Sequence, residues 1–407
     1  MTSRTSRLRH SVVLLFALLF AAALWAQRPT VILVSIDGFR ADYLDTLPVP
    51  VLRAIAASGV RAEAMTPVFP SKTFPNHYSI ATGLYTEHHG IVGNTFYDPE
   101  FKATFRIRDQ KELENPRWWG GEPIWVTAER QGVKCGTIYW PGSTVAIKGV
   151  RPSYWEPYII PQSYAARVNE ALGWLDLPAD KRPSLVTLYF ESVDAMGHRY
   201  GPGSPEVADA AAKVDAALAR LREGLKKRGL EDSTDLIVVS DHGMTSISPG
   251  RVVFLDDYVD LSELHIVDWS PVLQVEAKNG DNAALLRQLK NVPHLASYLS
   301  AETPARWHYR DNRRITPIVG LVDEGWTLDS HAHFAKMRDF DGGNHGFDNE
   351  LPSMRALFIA TGPDFKAGSR LKVFPNVDVY ELLAHLLKIV PAPNDGTLEV
   401  FRTVLKK

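Results

Sequence analysis

Three apolar runs that each end in acidic residues constrain this chain more than any other feature. Val31-Ile32-Leu33-Val34-Ser35-Ile36 leads into Asp37-Gly38, Leu185 to Phe190 leads into Glu191-Ser192-Val193-Asp194, and Leu236 to Val239 leads into Ser240-Asp241-His242-Gly243. Continuous apolar runs of this kind suit central strands of a parallel sheet, with a polar residue presented at the carboxyl edge. Between the second and third runs, Pro205 to Arg228 has the alanine, leucine and charge spacing of an amphipathic helix, with Gly229 as its stop. Strand, helix and strand in that order imply a parallel crossover. Met354 to Ala360 predicts another strand and Val377 to Lys388 another helix. The expected fold class is therefore α/β, a mostly parallel central sheet flanked by helices. Residues from about 251 to 335 are less regular and read as an insertion that covers or decorates the site. Open parallel sheets bind ligands beyond the carboxyl ends of their strands, and Asp37, Asp194, Asp241 and His242 all fall there.

The N-terminus bears on compartment. Arg4, Arg7 and Arg9 precede an unbroken apolar run from Val12 to Ala26, with Ala21, Ala22 and Ala23 near its end. This is the layout of a secretory signal peptide over residues 1–26, with cleavage after Ala23 or Ala26, and it predicts an exported protein, periplasmic or secreted. At 15 residues the run is shorter than the roughly 20 of a spanning helix, so no stable membrane span is expected after cleavage. Removing it takes three of the 45 Lys and Arg and none of the 47 acids, which moves the formal charge from −2 to −5. A mildly acidic body offers no footprint for a nucleic-acid duplex, so any nucleotide it handles is small and held locally. No protein partner is predicted. The lone Cys135 reads as a buried strand thiol without a catalytic role.

The candidate chemistry rests on six side chains: Asp37, Asp194, His198, Asp241, His242 and His345, the last within Asp341-Gly342-Gly343-Asn344-His345-Gly346. Each is unremarkable alone, since strand-end aspartates cap turns and loop histidines are mostly structural. Asp194-x-x-x-His198 has the spacing to meet across one helical turn. Converging on one crevice, mixed oxygen and nitrogen ligands without thiolate suit zinc, with manganese the weaker alternative. There are enough ligands for two ions, and a pair about 3.5–4 Å apart can clamp an in-line phosphoryl transfer. His331 and His333 read as ordinary loop or strand residues.

The nucleophile candidate is Thr73, in Phe69-Pro70-Ser71-Lys72-Thr73-Phe74-Pro75-Asn76-His77-Tyr78. It reads as the residue just before a short helix, with Pro75 in the first turn and Gly83 ending it. Unpaired N–H groups at a helix start favour a phosphate there. The alternative is that Thr73 only caps the helix. A hydroxyl is a weak nucleophile until a metal or base takes its proton, which a metal at Asp37, Asp241 and His242 would do.

These residues resemble those of the nucleotide pyrophosphatase/phosphodiesterase family, within the alkaline phosphatase superfamily. The likeness rests on Ser35-Ile36-Asp37-Gly38-Phe39-Arg40, Pro70 to Tyr78, Gly83-Leu84-Tyr85, and His89-Gly90-Ile91-Val92-Gly93-Asn94. It continues through Trp140-Pro141-Gly142-Ser143, Asp194-x-x-x-His198, Ser240 to Met244 and His345 to Asn349. The resemblance implies an alkaline phosphatase-like domain over residues 27–407. It further implies two Zn2+ per chain, one held by Asp37, Thr73, Asp241 and His242 and the other by Asp194, His198 and His345. Thr73 would form a covalent phosphothreonine, and Asn94 would hydrogen-bond a phosphoryl oxygen. Phe74 and Tyr158 match the residues that stack a nucleotide base, although Tyr158 sits among Tyr154 and Trp155 and can equally be packing. The cysteine-rich modules of vertebrate relatives are missing here.

Three competing functions remain at the level of sequence. Aromatic residues can cage a quaternary ammonium, so a choline-phosphate or lysophospholipid phosphodiesterase is one. A phosphomonoesterase or sulfatase is another, but Thr73-Phe74-Pro75-Asn76-His77 has neither the Cys or Ser nor the arginine of a sulfatase site, and no arginine adjoins Thr73. The third is a non-catalytic exported nucleotide-binding protein.

Overall fold

In the computed structural model, the structure describes residues 29–158, 162–337 and 341–406. The signal-peptide reading of residues 1–26 lies outside them. The central sheet is built from β1 (Thr30–Ile36), β2 (Val60–Ala62), β3 (Cys135–Ile138), β4 (Tyr154–Glu156), β5 (Leu185–Phe190), β6 (Thr234–Val239), β7 (Phe358–Thr361) and β8 (Ser369–Leu371), in the order β8-β2-β7-β6-β1-β5-β3-β4. All neighbours are parallel except β7, which runs antiparallel to both β6 and β2. The three apolar runs of the sequence are thus the three middle strands. They lie side by side in the order β6-β1-β5, with Ile36 beside Phe190 and Ser35 beside Val239.

Alternate residues of β1 enter two different cores, which is why the run carries no polar alternation. Ile32, Val34 and Ile36 face α1 (Pro50–Ser58), α4 (Tyr164–Leu175) and α6 (Pro205–Lys227), numbered in chain order with the helices that follow. Val31 and Leu33 face the layer of α2 (Thr73–Thr82), α3 (Ile124–Arg130) and α7 (Asp378–Leu387). The remaining helix used below is α5 (Ser192–Tyr200). The result is a three-layer helix–sheet–helix arrangement, as parallel sheets require. α6 follows the sequence reading closely. The Ser204 hydroxyl accepts from Val207 N, Pro205 opens the first turn, and Gly229 adopts φ +64° just beyond the end.

Three readings are corrected. Residues 251–335 are more regular than expected: Leu264–Asp268, Val272–Ala277, Ile318–Val322 and Leu295–Leu299 form a four-stranded antiparallel sheet, backed by the helix Asn282–Leu289. Leu273 and Val275 bury against that helix's core while Val272, Val319 and Leu321 join the main one, so both faces are apolar and the alternation that marks a strand is lost. The strand predicted from Met354 begins only at Phe358, because Pro352–Met354 is a tight helical turn. Thr73 is the first residue of α2, with extended Lys72 before it. No side-chain cap bond forms there.

One stabilising contact has no local signature. α1 begins after Val49, which has no capping oxygen, and its Val51 and Leu52 N–H groups bond instead to Asp215 Oδ2 (3.0 Å) and Oδ1 (2.8 Å) on α6. Asp215 is 4% exposed, so the carboxylate caps a helix from across the layer. Asp215→Ala is expected to lower unfolding stability by about 1–3 kcal/mol, read by denaturant titration, with bound metal unchanged.

Candidate metal and phosphate site

Strand geometry brings the carboxylates together. Asp37 follows β1 directly and its N–H bonds Phe190 O at the end of β5. Asp241 lies two residues past β6, where its Oδ1 accepts from Gly38 N at 3.1 Å. Asp194 stands in the first turn of α5, against Gly38, where an added Cβ would meet Asp194 Cα at 2.9 Å and φ is +67°. Glycine is therefore required at 38 for the carboxylates to converge.

The imidazoles arrive by three routes. His198 is one turn after Asp194 on α5, and the expected i,i+4 meeting occurs, Nε2 lying 3.5 Å from Asp194 Oδ1. His242 follows Asp241. His345 follows the short strand Gly342–Asn344, which pairs antiparallel with Thr245–Ile247 just past His242. Gly342 and Gly343 lie directly on α5, where an added Cβ would come within 2.1 Å of His198 O and 2.6 Å of Gly197 O respectively. The polar Gly-Gly-Asn-His segment can reach the cluster only without side chains at those two positions.

Each imidazole is held by a backbone carbonyl through Nδ1: His198 to Gly343 O at 3.0 Å, His242 to Gly243 O at 2.9 Å, and His345 to Ser71 O at 2.8 Å. In neutral rings that donation places the proton on Nδ1 and turns the lone pair of Nε2 into the cluster. There His345 and His198 Nε2 stand 3.1 Å apart, and His242 Nε2 stands 2.9 Å from Asp241 Oδ2 and 3.5 Å from Asp37 Oδ1. Asp37 Oδ1, Asp194 Oδ1 and Asp241 Oδ2 are buried without a hydrogen-bond partner. Acceptors facing acceptors in a buried site call for positive charge between them. Asp194, His198 and His345 form one group with ligand atoms mutually within 4.8 Å, and Asp37, Asp194 and His242 and then Asp37, His77 and Asp241 form others. The donor set fits divalent metal.

Without such charge, protons are drawn in. Burial, reinforced by Asp241 and Asp194, pushes the Asp37 carboxyl well above its ordinary range, and burial also raises Asp194 against the pull of His198. Burial opposes charge on His242 and on Asp241, but their mutual attraction outweighs it, raising His242 and, with His77, holding Asp241 low. Burial and the two neighbouring imidazoles hold His345 well below its usual value.

Thr73 sits at the edge of this cluster, Oγ1 3.3 Å from His242 Nε2. Asn94 Oδ1 accepts from Phe74 N at 3.1 Å, which fixes the amide orientation beside the helix start and leaves its NH2 group for another acceptor. Phe74 is partly exposed and leans on Phe105 and Trp119. Tyr158 is 45% exposed and sets its ring edge-on to Tyr139 and Tyr189. Cys135 is fully buried in β3, and burial pushes its thiol up. His331 and His333 lie in a short helical turn, paired with Asp257 and Asp329.

Two partners of the cluster escaped the sequence reading. His77, one helical turn after Thr73, bonds Ser35 Oγ at 2.8 Å and brings Nδ1 to 3.3 Å from Asp241 Oδ2. Its i+4 spacing from Thr73 was the available signal. Tyr189 donates its hydroxyl to Asp37 Oδ2 at 2.5 Å. As the next-to-last residue of β5 it had no mark in sequence beyond its place beside the strand end.

Fold and site together define an alkaline phosphatase-like α/β protein with an Asp/His cluster suited to metal. The chain belongs to the type I phosphodiesterase / nucleotide pyrophosphatase family, whose model matches residues 31–348. It is 40% identical over 392 residues to venom phosphodiesterase CdcPDE of Crotalus durissus collilineatus, covering 93% of this chain and 47% of the relative. It is 40% identical over 390 residues to ectonucleotide pyrophosphatase/phosphodiesterase family member 3 of Bos taurus, covering 93% and 44%. The chain thus spans about half the length of the curated relatives it matches. Among solved structures, murine ectonucleotide pyrophosphatase/phosphodiesterase 5 superposes with TM-score 0.87 at 38% identity, over 93% of this chain and all of that one. An inactive threonine-to-alanine form of the murine protein in complex with AMP gives TM-score 0.88 at 37% identity, with the same coverage of both chains.

The electrostatics generate a pH prediction for chelator-treated protein. His242, held above its free value, contributes stability that is present below about pH 6.5 and lost as pH rises through its folded pKa; Asp37, also raised, acts in the same sense. As pH rises above about 6.5, the melting temperature of chelated protein should fall while the metal-loaded form holds, so the gap widens. Parallel thermal melts across that range check this, and a gap that narrows with rising pH contradicts it.

Proposed function

We propose that this chain is an exported, metal-dependent nucleotide pyrophosphatase/phosphodiesterase that hydrolyses phosphodiester or phosphoanhydride bonds through a phosphothreonine formed on Thr73. On this reading residues 1–26 are the export signal and 27–407 the catalytic domain, with residues 251–335 inserted beside the site. The observation that carries it is the position of the Thr73 hydroxyl, at the start of α2 and 3.3 Å from His242 Nε2, against carboxylate oxygens that have no partners. Two zinc ions, held by Asp37, Thr73, Asp241 and His242 and by Asp194, His198 and His345, would supply Lewis-acid chemistry and neutralise the transferring phosphoryl group.

The chain's own residues account for the rest. Thr73 Oγ1 forms a bond to phosphorus as the bond to the departing oxygen breaks, and the hydroxyl proton leaves with solvent. Asn94 Nδ2, freed by the bond from Phe74 N to its oxygen, donates to a phosphoryl oxygen as charge builds there. Water then attacks phosphorus and Thr73 Oγ1 departs with a proton, restoring the hydroxyl. Phe74 and Tyr158 would hold the base by stacking. Support for a nucleotide comes from the murine neighbour in complex with AMP, and support for the threonine from that neighbour's being an inactive threonine-to-alanine form. Export is supported by the venom enzymes among the relatives. No helix among the described residues is long and apolar enough to cross a membrane.

Thr73→Ala is expected to reduce turnover of a nucleoside 5′-p-nitrophenyl phosphate at least about 10³-fold while metal content stays at the wild-type level. Undiminished turnover removes Thr73 as nucleophile. Faster wild-type turnover of p-nitrophenylphosphorylcholine than of the nucleoside ester would replace the nucleotide with a choline ester as substrate. No turnover of either ester would favour a binding protein.

A further inference from the structure

Asn94 lies in a stretch with no regular structure of its own. Residues 90–94 link a short helical turn to the hairpin strand Thr95–Asp98, yet Ile91, Val92 and Gly93 are buried, so groups outside the stretch must satisfy and fix its backbone. The inserted segment supplies them. Tyr309 Oη donates to Val92 O at 2.7 Å, and Gln274 Nε2, from the strand Val272–Ala277, donates to the same hydroxyl at 2.9 Å. Arg314 Nη1 donates to Gly90 O at 2.7 Å, and its Nε holds Asp98 Oδ2, at the far end of the hairpin strand, at 2.7 Å. Tyr309 and Gln274 are 0% and 1% exposed, too deep for water to replace either bond.

We propose that Tyr309, held by Gln274, is a positioning residue for Asn94: by fixing the Val92 carbonyl it sets where Asn94 Nδ2 meets the phosphoryl oxygen. The proposal rests on the phosphodiesterase reading, and within it on Asn94 as the donor to that oxygen. Two observations carry the coupling from Val92 to Asn94. Gly93 folds so tightly that an added Cβ would stand 3.0 Å from Thr95 O, which leaves no slack between the anchored carbonyl and the amide. The Asn94 side chain is itself tied, Oδ1 to Phe74 N at 3.1 Å, so a shift of its backbone would strain that bond and turn Nδ2. A donor misplaced by about 1 Å from developing charge costs on the order of 10²-fold in rate. The alternative is that Tyr309 only packs, since its ring stands edge-on to Phe69 with centroids 5.2 Å apart. Packing accounts for the ring but not for a hydroxyl set between a donor and an acceptor, because phenylalanine would fill the same space. On this account the inserted segment clamps the phosphate-facing turn from behind.

A double-mutant cycle between Tyr309→Phe and Asn94→Ala tests this, with metal-loaded protein, a nucleoside 5′-p-nitrophenyl phosphate, and a temperature well below each variant's melting point. Tyr309→Phe is expected to lower kcat about tenfold with KM unchanged, and Asn94→Ala about 10²-fold. In the Asn94→Ala background, Tyr309→Phe should change kcat by less than about twofold. Gln274→Met, which removes the donor to Tyr309 and leaves the ring in place, should repeat the pattern at smaller size. Equal losses from Tyr309→Phe in both backgrounds would make the residue structural only and overturn the proposal, as would full kcat in Tyr309→Phe beside a slowed Asn94→Ala. Wild-type kcat in Asn94→Ala would remove the donor itself, and an inactive wild type the phosphodiesterase reading; either takes the proposal with it.

Discussion

Three carboxylates crowded at one sheet edge with inward oxygens shut off from solvent cannot all stay ionised unless positive charge lies among them, and this protein places them side by side by construction. β6, β1 and β5 are neighbours in a parallel sheet, so their carboxyl ends are separated by about 4.8 Å per strand. Asp241, Asp37 and Asp194 issue from those ends; Asp37 and Asp241 are buried whole, and Asp194 has its Oδ1 shut away from solvent. The sheet supplies the crowding, and three imidazoles, each anchored through Nδ1 to a backbone carbonyl, turn Nε2 into the same cluster. Cations answer both demands at once, which is why the site is best understood as a charge-deficient cradle.

What holds the cradle open is backbone. The carbonyls of Gly343, Gly243 and Ser71 orient the three rings, and glycines at 38, 342 and 343 let chain segments approach within distances that no side chain would allow. Around it, Arg167 is fully buried, bonded to Tyr189 O and to both oxygens of Glu191, and it fixes the end of β5 from which Tyr189 reaches Asp37. A ligand geometry held by groups that cannot rotate is preorganised, and little of it must be rebuilt when substrate enters.

Much of this was legible in the sequence, for reasons that are local. A polar residue at the end of an apolar strand announces its own position, so the strand pattern alone assigns Asp37, Asp194, Asp241 and His242 to one sheet edge. Gly342-Gly343-Asn344-His345 announced a tight approach but not its target. What stayed hidden depends on partners far along the chain. Asp215 is one of several acids on α6 until α1 is laid across it. Tyr189 has the same apolar setting as its neighbours, and only the register with β1 brings its hydroxyl to Asp37. The sheet within residues 251–335 was missed because both its faces are covered, which erases the period-two pattern.

The central claim is that these six acids and imidazoles close around two cations with the Thr73 hydroxyl facing in. Anomalous diffraction across the zinc absorption edge, from crystals grown with zinc, tests it most directly. The account predicts two zinc peaks per chain, one about 2.0–2.2 Å from ligand atoms of Asp194, His198 and His345, the other at that distance from Asp37, Asp241 and His242 and in reach of Thr73 Oγ1. No peak inside the cluster, or peaks bound by other residues, would contradict it.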